Sequence, residues 1–240
     1  MKRLSLWVLA FALLSLFFFI LLIFLRTPFP LYPLMSYQDA FDLLTPLVLI
    51  PIYWLLFTYA AGQAPGLVED MAFLGLAVFW VEGHGMHLAA NSISNLIEII
   101  SRGLEYDVMG SDIYYLTHFY DEHLGHYLFH IGVLGLAALL IYREWRHPAR
   151  LVTAWGPTIP AGVIYGFTLF AIIDEGQTVL MGLPFAGLVT LFSLVWGRQK
   201  LGQQPLLAFF FVACLVALLF FVGWGLVWGG FPEITEVGII

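Results

Sequence analysis

Cysteine and charge are what this chain has least of. A single cysteine, Cys214, among 240 residues excludes an internal disulfide and any metal site built from several thiolates. It lies in an apolar run and reads as a packing residue. Charged residues make up only 10% of the chain, against about 25% in an ordinary soluble domain. With 61% hydrophobic residues and a mean hydropathy of +0.93, this predicts an integral, polytopic membrane protein. Lys and Arg number nine against 16 acidic residues and form no run, so nothing offers a basic surface to nucleic acid and no nucleic-acid partner is expected. No segment is long and polar enough for a separate soluble unit, so residues 1–240 read as a single transmembrane helical domain. The opening apolar run, Leu4 to Leu25, exceeds the roughly 7–15 residues of a signal-peptide core. No small-residue cleavage site follows it, only Arg26-Thr27-Pro28, so an uncleaved first helix is expected.

A membrane helix needs roughly 20 apolar residues. Seven stretches qualify, at about 5–25, 43–61, 71–92, 117–141, 152–174, 178–196 and 205–228, which predicts an all-α bundle of seven transmembrane helices. The fifth and sixth are separated only by Asp174-Glu175-Gly176-Gln177, a tight hairpin. Positive charge sets orientation. With seven spans and an inside N-terminus, Lys2, Arg3, Arg143, Arg146, Arg150, Arg198 and Lys200 lie on the cytoplasmic side and only Arg26 and Arg102 outside. The expected topology is therefore N-in/C-out. The tryptophans agree, with Trp145, Trp155 and Trp196 near the inner interface and Trp224 and Trp228 near the outer one, and the cell (plasma) membrane is the expected location.

Against this apolar background, ionisable side chains inside the spans are expensive, and a cluster of them marks a functional site. At about 100° per residue, His84, His87, Asn91, Ser94, Asn95 and Glu98 share one face of the third helix. Glu122, His123, His126 and His130 share an arc of about 100° on the fourth. The same arithmetic turns Asp121 away from its stripe and puts Glu82 nearly opposite His84. The third and fourth helices are expected to be antiparallel neighbours with these stripes facing. Gly83, Gly85, Gly125 and Gly132 sit beside the histidines, and small residues let helices approach closely. His118 and Tyr114, Tyr115, Phe119 and Tyr120 read as interfacial, and Pro157 and Pro160 as kinks in the fifth helix.

Glu122 and His126, and His126 and His130, are i, i+4 pairs that set two side chains on one side of a helix, where one ion can be gripped. Imidazole with carboxylate suits a transition metal, zinc first. His87, His126 and His130 are the first-choice ligands, with His84, His123 and Glu122 as alternates or ligands to a second ion. A catalytic zinc keeps three protein ligands and a water whose pKa falls to about 7. Glu122, or Asp174 and Glu175 folded over the cavity, would serve as general base. The expected activity is metal-dependent hydrolysis of a membrane lipid or similar amphiphile. The alternatives are haem b between two of these histidines, a dinuclear redox centre, a proton or metal-ion transporter, or histidines acting only as interhelical hydrogen-bonding glue.

Seven membrane helices with intramembrane histidines loosely resemble the alkaline ceramidase and progestin/adiponectin receptor superfamily. The matching residues are His126-x-x-x-His130 with His87 as a separate third histidine. That resemblance implies zinc and hydrolysis. In that superfamily the paired histidines lie in the last helix and a serine precedes the lone histidine by four residues, whereas here the pair is in the fourth helix and position 83 is glycine.

Overall fold

Long runs of Leu, Phe, Val and Ala have no water to hydrogen-bond in a bilayer, and a helix satisfies every backbone group internally. The computed structural model of the chain describes residues 2–101, 108–149 and 151–239, and it is nearly all helical. The main elements are α1 (Lys2–Phe19), a hairpin of β1 (Pro28–Phe29) and β2 (Tyr32–Ser36), α2 (Tyr37–Asp42), α3 (Thr45–Tyr59), α4 (Leu67–Ser101), α5 (Asp112–His118), a π turn (Phe119–Gly125), α6 (His126–Arg146), α7 (Trp155–Glu175), α8 (Val179–Phe192) and α9 (Pro205–Trp228).

Six helical stretches among the described residues are long and apolar enough to cross a membrane: Leu4–Phe24, Tyr37–Tyr59, Asp112–Arg146, Trp155–Glu175, Val179–Gly197 and Pro205–Trp228. The remaining expected span, 71–92, lies inside α4. Its polar stripe dilutes its apolarity, which is why it does not stand with the other six. At 35 residues and about 1.5 Å each, α4 is also longer than a hydrocarbon core of about 30 Å. Its apolar run ends near residue 92, yet no glycine or proline stops the helix there. The hairpin and α2 were not expected. Ser36 caps α2 through a reciprocal box with Asp39, satisfying two backbone donors at once.

The most extensive helix contacts are α4 with α6, α7 with α9 and α1 with α7. The α4–α6 contact runs through glycine. A side chain at Gly83 would meet the backbone of Gly125 and Phe129, one at Gly132 the backbone of Trp80, and one at Gly135 the Leu76 side chain. Positions fall on α4 as they rise on α6, so the two helices are antiparallel neighbours, as expected.

Two polar devices lock the bundle. The Arg143 guanidinium, buried near the end of α6, donates from Nε to the Phe57 carbonyl at 2.7 Å, from a terminal nitrogen to the Gln63 carbonyl at 2.5 Å, and to the Glu69 carboxylate. The neighbouring Glu144 carboxylate accepts the Leu206 and Leu207 N–H groups at 3.2 and 2.7 Å, taking up donors that the first turn of α9 leaves unbonded. Elsewhere the Tyr53 and Tyr165 hydroxyls meet at 2.8 Å between α3 and α7, with Phe11 against both rings.

Two glycines on one helix should therefore respond differently to alanine. Gly83→Ala should destabilise the protein by about 1–3 kcal/mol through overpacking. Gly85→Ala, whose new methyl meets nothing within 4 Å, should be neutral or stabilising by up to about 1 kcal/mol. Thermal or denaturant unfolding in a mild detergent measures both, and equal effects would contradict the packing.

Candidate functional site, a cavity of histidines and carboxylates

Where the polar faces of α4 and α6 meet, a cavity of about 750 Å³ opens. Its walls come from the end of α1 and the following turn, β2, α2, α4, the π turn, α6, the end of α7 and the segment after α9. His84, His87, Asn91, Asn95, Glu122, His126, His130 and Glu175 line it, together with Arg26, Asp39, Asp42, Glu233 and Thr235. The volume falls in the usual range of roughly 300–1,000 Å³ for small-ligand sites.

In three of the histidines Nδ1 lies beside an oxygen. His87 Nδ1 lies 2.7 Å from Asp121 Oδ1, although the two atoms are not aligned as a regular hydrogen bond. His126 Nδ1 is 3.3 Å from the Glu122 carbonyl oxygen and 3.5 Å from its Oε2. His130 Nδ1 is 2.6 Å from the Thr178 hydroxyl. Nδ1 of His126 and of His130 is thus hydrogen-bonded, while Nδ1 of His87 lies beside the Asp121 carboxylate without a hydrogen bond; among the described residues no hydrogen bond reaches Nε2 of these three rings, and that of His130 is fully buried without a partner. His84 differs, with Nε2 placed 3.0 Å from the Asp42 carbonyl oxygen and 3.4 Å from its Oδ1. The His87 and His126 rings lie 4.3 Å apart by centroid, and His130 stacks beyond His126 at 6.0 Å. The expected approach of His87 to His126 is present.

The π turn rearranges the fourth-helix stripe. From Phe119 to Gly125 the backbone bonds i to i+5, so the α-helical step of about 100° per residue no longer assigns faces. Asp121, turned away by that arithmetic, is buried at 3% exposure against His87. His123, expected in the stripe, is exposed and packs beside His118 and Phe119, outside the cavity lining. A π turn leaves no periodic mark in the sequence. Glu82, nearly opposite His84 on α4, is exposed. The side chain of Glu98, and Arg102, lie outside the described residues.

The α7–α8 turn reaches the same place. Asp174 is fully buried with neither carboxylate oxygen bonded among the described residues, and it does not line the cavity. Glu175 does, accepting the Thr235 hydroxyl at 2.5 Å and its N–H at 3.3 Å. Gly176 has no alternative: a Cβ there would sit 2.6 Å from His130 Cε1. Gln177 donates to Glu233. Burial raises the Glu233 carboxyl above its ordinary range; the bond from Gln177 opposes this, and Glu175 and Glu236 nearby add to it. The sequence reading missed Asp42, Asp121, Thr178 and Glu233. Asp42, Thr178 and Glu233 come from distant segments that only the fold brings to this place, and Asp121 was hidden by the π turn.

No group of three or more His, Cys, Asp or Glu among the described residues is disposed to hold one ion as the side chains stand. Comparison with known proteins adds no relative: no family model matches the chain, and no curated protein or solved structure is significantly similar to it.

The two exchanged residues give a direct test. Asp121→Ala should lower stability by about 1–3 kcal/mol, because it strips His87 of its buried neighbour. His123→Ala should stay within about 0.5 kcal/mol, as exposed positions do. Unfolding of the purified variants would show the reverse order if the α-helical register held.

Proposed function

We propose that the chain is an integral membrane metalloprotein, a zinc-dependent hydrolase of a lipid or other amphiphile, with His87, His126 and His130 as ligands. The observation that carries this reading is that Nδ1 of each of the three imidazoles lies beside an oxygen, hydrogen-bonded in His126 and His130 and close to the Asp121 carboxylate without a hydrogen bond in His87, while Nε2 is left over. Metal-binding histidines are typically held in this way, by a carboxylate, carbonyl or similar acceptor on the far nitrogen. In this reading the rings turn about their side-chain bonds to bring the Nε2 atoms onto one ion. Zinc with three protein ligands keeps a position for water and lowers its pKa to about 7.

Glu122 is the general base of this scheme, since it lines the cavity beside His126. Glu175 is already engaged by Thr235, and Asp174 does not reach the cavity, so they are weaker choices. His84, held by Asp42, is left for a second ion.

The topology that goes with this function has seven spans, α4 included, with N-in/C-out orientation in the plasma membrane and the cavity toward the outer face. The basic residues support it, seven on one side against two. Cysteines placed at positions 108 and 148 test it with a membrane-impermeant thiol reagent, Cys214 being buried. Position 108 should label from outside and 148 only from the cytoplasm; the opposite pattern would overturn the orientation.

Elemental analysis of gently extracted protein tests the metal. It should find close to one zinc per chain and no haem absorption band, and His126→Ala or His130→Ala should remove the zinc. Absence of metal from the wild-type protein would leave the histidines as hydrogen-bonding residues, each then contributing roughly 0.6–2 kcal/mol to stability.

A further inference from the structure

The cavity's charge is one-sided. Five carboxylates line it, from Asp39, Asp42, Glu122, Glu175 and Glu233, and Arg26 is the single Lys or Arg among the lining residues. Most of these acids are fixed by hydrogen bonds: Asp39 to Ser36, Asp42 from the Thr45 hydroxyl, Glu175 to Thr235. Such bonds orient a carboxylate without cancelling its charge. A cleft of one sign with apolar walls focuses its field on what enters. The Phe18, Phe19 and Phe129 side chains also line the cavity, and the Phe19 and Phe129 centroids lie 5.6 Å apart. Carboxylates around aromatic rings are the chemistry that receives an ammonium group. The buried, unpartnered Nε2 of His130 in the same wall is a further sign that a ligand completes the cavity.

We propose that the cavity binds an amphiphile whose head carries an ammonium group, a long-chain amine or an ammonium-headed lipid, and rejects heads that present only phosphate. This rests on the cavity being the amphiphile site proposed above, though not on the metal. A divalent ion would leave the carboxylates in excess, so the preference holds with or without it. Leu22, Ile23, Leu34, Met35 and Ile234 give the alkyl part an apolar wall.

Equilibrium binding to the full chain in a non-ionic alkyl glycoside micelle tests the proposal, with empty micelles as the partition control. The probes are dodecylamine, dodecyltrimethylammonium, dodecyl phosphate and tetramethylammonium. The two cationic alkyl probes should bind saturably, near one per chain, and at least about tenfold more tightly than dodecyl phosphate or tetramethylammonium. Glu122→Gln and Glu233→Gln should each shrink that ratio, while Arg26→Gln should widen it, a change of opposite sign that a misfolded variant cannot produce. Equal affinity for phosphate and ammonium heads, ratios unmoved by all three substitutions, or tetramethylammonium binding as tightly as its dodecyl form would each overturn the proposal. Zinc content of the same samples separates the two readings: metal without ammonium preference defeats only this inference, and ammonium preference without metal defeats only the zinc reading.

Discussion

The site depends on how closely α4 approaches α6. Gly83, Gly125 and Gly132 allow backbone to meet backbone, and only that contact brings the His87 and His126 rings to 4.3 Å. Larger residues at these positions would part the polar faces. The ionisable groups would then face apolar surroundings unpaired, which costs far more than the contact itself gains. The glycines therefore set the geometry on which the histidines, the carboxylates and the cavity rest.

Around that contact the chain distributes its other polar groups as anchors. Arg143 ties α6 to the end of α3, the loop after it and Glu69 at the start of α4. Glu144 holds the first turn of α9. Both sit at the opposite end of α6 from the cavity, so the helix is fixed at one end and bears the cavity's histidines at the other. The segment after α9 closes the arrangement, since Thr235 and Glu233 bond to the α7–α8 turn and line the cavity with it. Breaking these anchors would be expected to disturb the site through α6 although none of their residues lines the cavity.

Much of this was legible in the sequence because composition and period are strong signals in membranes. Apolar stretches located the helices, and the α-helical step put His84 and His87 on one face of α4 and His126 and His130 on one face of α6. What the sequence did not disclose has definite physical causes. The π turn at Phe119–Gly125 breaks the angular step, which exchanged Asp121 for His123. The length of α4 was missed because apolarity ends where its helix continues. Asp42, Thr178 and Glu233 reach this place only through tertiary contacts, and Arg143, counted only as a charge that sets orientation, is fully enclosed together with Glu144.

The central claim is that His87, His126 and His130 share one ion, and X-ray absorption at the zinc edge of the purified protein tests it most directly. The account predicts about three imidazole nitrogens at about 2.0–2.1 Å with one lighter oxygen ligand, the pattern of a catalytic zinc site. A spectrum without imidazole scattering, or no zinc edge at all, would contradict it.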